Sequence, residues 1–216
     1  AFGAADVCRN ARITVQFDRL MQASSLADAI VLEQCDAPAG CSRDADTGWQ
    51  AVPAAPALIA VPEGPGDTPV SEMQLRLVEP LVGQTKYRVT IRGADGGSGA
   101  ATALRTQDGV RFGATDRWIF ATAQQVGAID RINVTPPSAL LHRREDRVDL
   151  RAEALARSSA GLTPITPVTG YAWTYAWTSS APDVATVTAG ADAVTAAATM
   201  TTPAKNGEAL GVATAT

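Results

Sequence analysis

Three short segments of this 216-residue chain contain residue types that could support catalysis or metal binding. His142, the single histidine, lies in the charged segment LLHRREDR, and a general base needs an orienting partner that no second histidine supplies. The segment GGSGA at 96–100 approaches the G-x-S-x-G pattern of hydrolases but has Ala100 in place of the last glycine. We interpret His142 as a residue of a solvated turn and GGSGA as a hairpin loop. The sequence therefore predicts no enzyme active site.

The third segment, RDADTG at 43–48, has the spacing with which a calcium-binding loop begins. Asp44, Asp46 and Gly48 fit that spacing, but a third acidic ligand and the closing glutamate are lacking. An ordinary turn is favoured over calcium, and we predict no metal and no other cofactor.

The three cysteines lie early in the chain, at Cys8, Cys35 and Cys41. Cys35 and Cys41 flank the turn sequence DAPAG, which could bring their sulfurs together in an oxidising extracellular compartment. Pairing of Cys8 with Cys35 is a competing possibility if the first two strands are antiparallel, and three reduced thiols are another. A metal site is disfavoured because no CxxC motif or histidine cluster accompanies the cysteines.

Composition places the chain among folded proteins and excludes some partners. Hydrophobic residues make up 46% of the sequence, the net charge is -4 and the pI is about 5.0. An acidic chain disfavours a nucleic-acid partner, and no apolar run approaches the roughly 20 residues of a membrane span. The absence of an initiator methionine indicates a processed product or a fragment.

Alternation of apolar and polar residues predicts an antiparallel β-sandwich in the first part of the chain. A helical turn that Ser24 or Ser25 could cap is expected between the first two strands. The predicted strands are ITVQF at 13–17, AIVLEQC at 29–35, EMQLRLVEP at 72–80, KYRVTI at 86–91 and RWIFAT at 117–122.

Short strands also follow residue 128, which predicts an all-β protein of two tandem sandwiches. We place the domains at 1–123 and 128–216, with a connection at 124–127. The later predicted strands are IDRINVTP at 129–136 with SALLHR at 138–143, RVDLRAEAL at 147–155, DVATVT at 183–188, AVTAAATMTT at 193–202 and GEALGVATAT at 207–216.

Both parts resemble bacterial Ig-like domains. ITVQFDRLMQASSL at 13–26, LRLVEPLVGQTKYRVTI at 75–91 and DRWIFATA at 116–123 resemble the Ig-like domain of S-layer and other secreted proteins, although Leu20 replaces a usual proline. INVTPPSALL at 132–141, WTSSAPDVATV at 177–187 and GVATAT at 211–216 resemble the group 2 Ig-like domain of intimin- and invasin-type surface proteins. The second resemblance implies one further edge strand after this segment, which a neighbouring chain could supply by strand addition.

Four aromatic residues alternate along one predicted strand: Tyr171, Trp173, Tyr175 and Trp177. Period-two geometry places their rings on one face, and the resemblance places Trp177 in the sandwich core. We therefore expect an interior face, with an exposed platform for sugars or bases as the rival interpretation. The predicted aromatic core residues are Phe17, Tyr87, Phe120, Trp173, Tyr175 and Trp177.

These features predict a non-catalytic extracellular structural module. It would be a spacer or building block of a bacterial cell-surface protein, fibre or layer, in contact with copies of itself or with neighbouring Ig-like domains. The alternative is an adhesin or a carbohydrate-binding accessory module, which exposure of Trp49 or Trp173 beside a groove would favour.

Overall fold

The computed structural model describes residues 3–37, 40–59, 71–95, 101–141, 145–159, 161–190, 197–201, 209 and 211–215. Within these ranges the chain forms fifteen strands, one short 3₁₀ turn and one helix of four residues. The all-β prediction is confirmed. We call the part before residue 124 the first half and the part after residue 127 the second half.

Eight strands of the first half form two sheets. They are β1 (Ala4–Val7), β2 (Ile13–Phe17), β3 (Ile30–Cys35), β4 (Trp49–Val52), β5 (Ala55–Ile59), β6 (Ser71–Arg76), β7 (Lys86–Ile91) and β8 (Asp116–Thr122). One sheet has the order β1-β8-β7-β3-β4 and the other β2-β6-β5. A 3₁₀ turn (Ala23–Ser25) and α1 (Leu26–Ala29) connect β2 to β3.

The core of the first half lies between these two sheets. Alternate residues of β2 and β6 meet alternate residues of β3, β7 and β8 in one apolar cluster. Phe17, Tyr87 and Phe120 belong to this cluster, and the Tyr87 and Phe120 rings stack with their centroids 5.6 Å apart. The Tyr87 hydroxyl accepts a hydrogen bond from the Val82 N–H at 2.8 Å, which satisfies its polar atom inside the core.

The described residues of the second half form seven strands. They are β9 (Arg131–Thr135), β10 (Arg147–Ser158), β11 (Gly161–Pro164), β12 (Tyr175–Ser179), β13 (Thr186–Ala189), β14 (Ala197–Thr201) and β15 (Gly211–Ala215). One sheet has the order β11-β10-β14-β13 with β9 also paired to β10, and β12 pairs with β15. A small core between them contains Leu150, Ala185, Ala198 and Met200, and Trp177 packs against it.

Three local features differ from the sequence-based expectation. Strand β1 was not predicted, and it pairs with β8 in parallel rather than antiparallel. Its four residues, AADV, are too few to display a period. Residues 138–141 form no strand. Ser25 stands at the N-cap of α1 without a side-chain cap, because its hydroxyl instead donates to the Gln22 carbonyl oxygen at 2.8 Å.

Candidate functional site

The two halves meet through main-chain hydrogen bonds between residues 9–12 and residues 164–166. Ala11 forms an isolated antiparallel bridge with Ile165. The Arg12 N–H donates to the Pro164 carbonyl at 2.8 Å, and the Thr166 N–H donates to the Asn10 carbonyl at 2.9 Å. The segment that leads into β2 is therefore also paired with the second half, in a region that we call the junction.

Asn10 connects the junction to the predicted 124–127 connection. Its side chain is fully buried, Nδ2 donates to the Gly127 carbonyl at 3.0 Å, and Oδ1 accepts from the Gly127 N–H at 2.8 Å. The side-chain amide of Asn10 thus pairs with both main-chain polar groups of one residue, as a residue of a neighbouring antiparallel strand would. Loss of this pair would leave buried donors and acceptors unsatisfied, so the geometry is strongly constrained.

The junction requires glycine at position 127 because the surroundings leave no room for a side chain. A Cβ atom there would lie 2.7 Å from the Ala156 Cβ, 2.9 Å from the Cys8 Sγ and 3.0 Å from the Asn10 Oδ1. The first two distances are shorter than real Cβ contacts. Glycine is therefore required at position 127 by the close packing of its neighbours and not by the backbone conformation.

Small apolar side chains from both halves fill the centre of the junction. Cys8 and Ala11 of the first half form one cluster with Ala154, Ala156 and Ile165 of the second half. Cys8 is a free, buried thiol; burial, followed by the charge of Asp6, raises its pKa. It therefore behaves as a small apolar group in this cluster.

Aromatic residues of the second half cover this cluster. The predicted strand with all four rings on one face is not observed, because β12 begins at Tyr175 and both Tyr171 and Trp173 precede it. Trp173, Tyr175 and Trp177 are each partly buried, and Tyr171 is 51% exposed. Trp173 and Tyr175 pack against the junction cluster, whereas Trp177 packs against the second core. Two of the rings expected in the second core therefore lie against residues of the first half as well. The Tyr175 hydroxyl accepts from the Ala154 N–H at 2.9 Å.

A second contact extends from the second half into the core of the first. Val168 is 4% exposed and belongs to the apolar cluster of the first half. Its neighbour Thr169 donates to the Val78 carbonyl through both its N–H, at 2.9 Å, and its hydroxyl, at 3.0 Å. The first core is therefore completed by a residue distant in sequence.

Charged side chains surround the junction in alternation. Arg12 pairs with Glu153 across the two halves and approaches Glu72 at 3.8 Å, and Arg151 approaches Glu72 at 3.5 Å. Burial lowers the pKa of the Arg12 guanidinium, and the Glu153 carboxylate opposes that effect. Networks of this kind fix orientation more than they add stability, because desolvation offsets much of the attraction.

A second polar cluster lies on the outer face of the first half. Arg88 is 3% exposed, and its Nε and Nη2 each donate to a carboxylate oxygen of Glu33 at 2.8 Å. Its Nη1 donates to the carbonyls of Arg43, at 2.9 Å, and Ala45, at 2.6 Å, and its guanidinium lies 4.6 Å from the Trp49 ring centroid. Arg88 therefore binds the loop at 36–48 to the sheet.

This loop is also closed by a covalent bond. Cys35 and Cys41 are joined by a disulfide, and the Asp36 N–H donates to the Gly48 carbonyl at 3.1 Å. Cys8, the competing partner in sequence, lies in the junction instead. The pairing holds the first part of the loop near the end of β3.

Hydrogen bonding controls the ionisation of Glu33. Burial would raise its pKa, but hydrogen bonds from Arg88 and Thr90, with the charges of Arg88 and Arg117, hold the pKa below its ordinary value. The carboxylate is therefore stabilised in its charged form in the folded protein.

The residues considered for chemistry are not brought together. Asp44 pairs with Arg43, and Asp46 lies 3.4 Å from Arg117. His142 and the GGSGA segment lie outside the described residues. In the part of the chain that the structure describes, no group of three His, Cys, Asp or Glu side chains could hold a metal ion. None of the described helices has the length and apolar character of a membrane span.

Sequence reasoning missed Asn10, Gly127 and Arg88. Asn10 and Gly127 are 117 positions apart, and each alone looks like a turn residue. Arg88 occupies a polar position of an alternating strand, which is typical of a solvent-facing residue. Arg88 is buried because the loop at 36–48 packs over it, and the sequence does not specify the path of that loop.

Comparison with known proteins adds little to this geometry. No protein-family model and no curated protein matches the chain. It is similar to the N-terminal part of the bacterial S-layer protein SbsC, with 14% identity, a TM-score of 0.33 and coverage of 94% of this chain and 43% of that chain. It is also similar to domains 1-6 of the surface layer protein SbsC, with 9% identity, a TM-score of 0.31 and coverage of 98% and 53%. The chain thus spans about half the length of these structures.

Replacement of Gly127 by alanine should destabilise the protein by about 1–3 kcal/mol, because the added methyl group overlaps Ala156 and Cys8. Gly113 is the matched control, since a Cβ there meets nothing within 4 Å. Asn10→Ala should cost about 2 kcal/mol or more, and the double variant should cost less than the sum. Chemical denaturation measures all four variants; equal effects of the two glycine substitutions would contradict the packing argument.

Glu33→Gln should lower the free energy of unfolding by about 3 kcal/mol at neutral pH, because it leaves the buried Arg88 charge without its carboxylate. The folded-state pKa of Glu33 is lowered, so its contribution is complete above the unfolded-state pKa and disappears as pH falls through the folded-state value. The difference between wild type and variant should therefore shrink in acid. Denaturation across a pH series tests this, with the exposed Glu79→Gln as control; a difference independent of pH would contradict it.

Proposed function

We propose that the chain is a non-catalytic extracellular structural module built from two Ig-like domains. In this role it is a spacer or building block of a bacterial cell-surface protein, fibre or surface layer. The observation that carries the proposal is the junction, where buried hydrogen bonds, a shared apolar cluster and ion pairs connect the halves. A spacer transmits position only when its units cannot turn freely against each other, and these contacts oppose such rotation.

The disulfide supports an extracellular location. Disulfides persist in oxidising compartments and are rare in reducing cytosol. The Cys35–Cys41 bond closes a loop on the outer face of the sheet rather than a redox-type CxxC motif. A structural role in a secreted protein accounts for both its position and its spacing.

The covering of the tryptophans favours the structural proposal over a carbohydrate-binding accessory module. Trp173 is partly buried against the junction cluster. Trp49 donates through Nε1 to the Ser42 carbonyl at 3.0 Å, and its ring contacts Arg88. Neither ring belongs to an open aromatic platform of the kind on which sugar rings stack.

The expected partners are copies of this chain or neighbouring Ig-like domains, joined by strand addition at β15. Among the described strands, β15 is hydrogen-bonded only to β12, and β9 lies close to it without pairing. A two-stranded sheet with an unpaired edge offers backbone donors and acceptors to an incoming strand. Val212 in β15 is 44% exposed, which makes this strand accessible to substitution.

The location can be tested on the cells that produce the protein. An antibody against the purified protein should label intact cells as strongly as lysed cells, because the module lies outside the membrane. An antibody against a cytoplasmic protein, which should label only lysed cells, is the control. Labelling of this module only after lysis would contradict the proposal.

Strand addition predicts concentration-dependent self-association that a charge on β15 weakens. Val212→Lys should reduce association in sedimentation velocity measurements, because lysine on an edge strand opposes pairing with a second strand. Val110→Lys is the matched control, since Val110 is 51% exposed and lies outside the strands. Equal association of the two variants would exclude β15 as the contact.

A further inference from the structure

The outer face of the sheet β1-β8-β7-β3-β4 contains a polar cavity of about 500 Å³. Its floor is formed by side chains that alternate with the core residues of three adjacent strands. Asp46 from the loop at 36–48 lies at the rim. The ionisable lining groups are Glu33, Asp46, Arg88, Arg92 and Arg117. A cavity of this volume lies within the range that holds small molecules.

The charge of the cavity is opposite to that of the whole chain. Among the described residues, three arginines and two carboxylates line it, whereas the chain has a net charge of -4. Both carboxylate oxygens of Glu33 already accept hydrogen bonds from Arg88, so the charge of Glu33 is paired with that of Arg88. Asp46 is 86% exposed and lies 3.4 Å from Arg117, too exposed and too distant to neutralise that charge fully. The charges of Asp44 and Asp95 also interact with Arg117, but neither residue lines the cavity, so the positive charge that faces the cavity belongs to Arg92 and Arg117.

Both arginines also keep unused hydrogen-bond donors. The Arg117 Nε is buried and has no acceptor among the described residues. Its Nη2 has the long contact with Asp46. The Arg92 Nη1 donates to the Asp28 carbonyl at 3.0 Å. Buried donors without an acceptor are costly, and the Nε and Nη2 edge of a guanidinium matches the two oxygens of a carboxylate.

We propose that this cavity binds the carboxylate group of a small polar molecule through Arg117 and Arg92. Arg88 is a positioning residue, because its donors are already occupied by Glu33 and the loop carbonyls. Asp46 is an internal competitor, which a ligand carboxylate replaces at Arg117. A uronic acid and an acidic amino acid carry the same group, and the site requires that group rather than the remainder of either molecule.

Binding can be measured by NMR titration of the full 216-residue chain with sodium glucuronate and with N-acetylglutamate. We expect saturable shifts of the amide signals of Thr90, Thr102 and Thr115, which line the cavity. Glucose serves as the uncharged control and sulfate as the tetrahedral anion. The tighter of the two carboxylates identifies the class of natural ligand. Absence of saturable shifts, or sulfate binding as tight as that of both carboxylates, would overturn the proposal.

One substitution with a matched control tests the role of Arg117. Arg117→Gln should weaken carboxylate binding by about tenfold or more, because it removes a charge-assisted contact. Arg147→Gln removes the same charge from an exposed position of the second half and should leave binding unchanged. Equal affinity of these two variants, with the native NMR signal dispersion retained, would overturn the assignment of Arg117.

The competitor role of Asp46 makes the opposite prediction. Asp46→Asn should tighten carboxylate binding by about two- to fivefold, since it frees the Arg117 edge from a weak ion pair. Asp18→Asn is the control, because Asp18 is exposed and does not line the cavity. Unchanged or weaker binding by Asp46→Asn would overturn this part of the proposal. The site lies wholly in the first half, so its failure leaves the proposed structural role intact.

Discussion

The arrangement of the two halves depends on one buried amide. Asn10 pairs with both polar groups of Gly127, and its own carbonyl accepts from Thr166, so three segments distant in sequence meet at one residue. Removal of either Gly127 contact would leave a polar atom of the fully buried Asn10 without its partner. The distances at Gly127 show how tightly the apolar neighbours close around this pair. A hydrogen-bonded centre inside a small apolar cluster specifies one arrangement, because a slipped or rotated one would bury unpaired groups.

The residue sizes around this amide follow from the same requirement. Cys8, Ala11, Ala154 and Ala156 are small, so backbones from the two halves approach closely enough for direct main-chain bonds. Larger side chains would increase burial but separate Ala11 from Ile165. Trp173 and Tyr175 then cover the small cluster from outside, which supplies the apolar area that alanine cannot. Arg12 and Glu153 follow Ala11 and precede Ala154 in sequence and pair across the two halves, where the Glu153 carboxylate opposes the effect of burial on the Arg12 charge.

The sequence specifies the sheets better than it specifies the contacts between them. Alternation in ITVQF and KYRVTI predicts β2 and β7, because one buried face imposes a period of two. The end of β10 breaks that rule: Ala154 and Ala156 belong to the junction cluster, and Leu155 between them is buried as well. The partial burial of Trp173 and Tyr175 is predictable from the sequence, but the residues of the first half that they contact are not. Contacts between positions 10 and 127, or 11 and 165, leave no periodic signal in either segment.

Arg88 shows how the same limit applies to a site. Position 88 alternates with core residues and is polar, so local pattern places it toward water, yet the disulfide-closed loop covers it. Arg92 and Arg117 line the same cavity but are more exposed than Arg88, which the loop covers. Because Glu33, Arg88 and Arg117 project from three adjacent paired strands, their relative positions are fixed by the sheet register rather than by the loop. A binding site of this kind inherits the rigidity of the sandwich, so a module selected for a fixed shape can carry one without a mobile element.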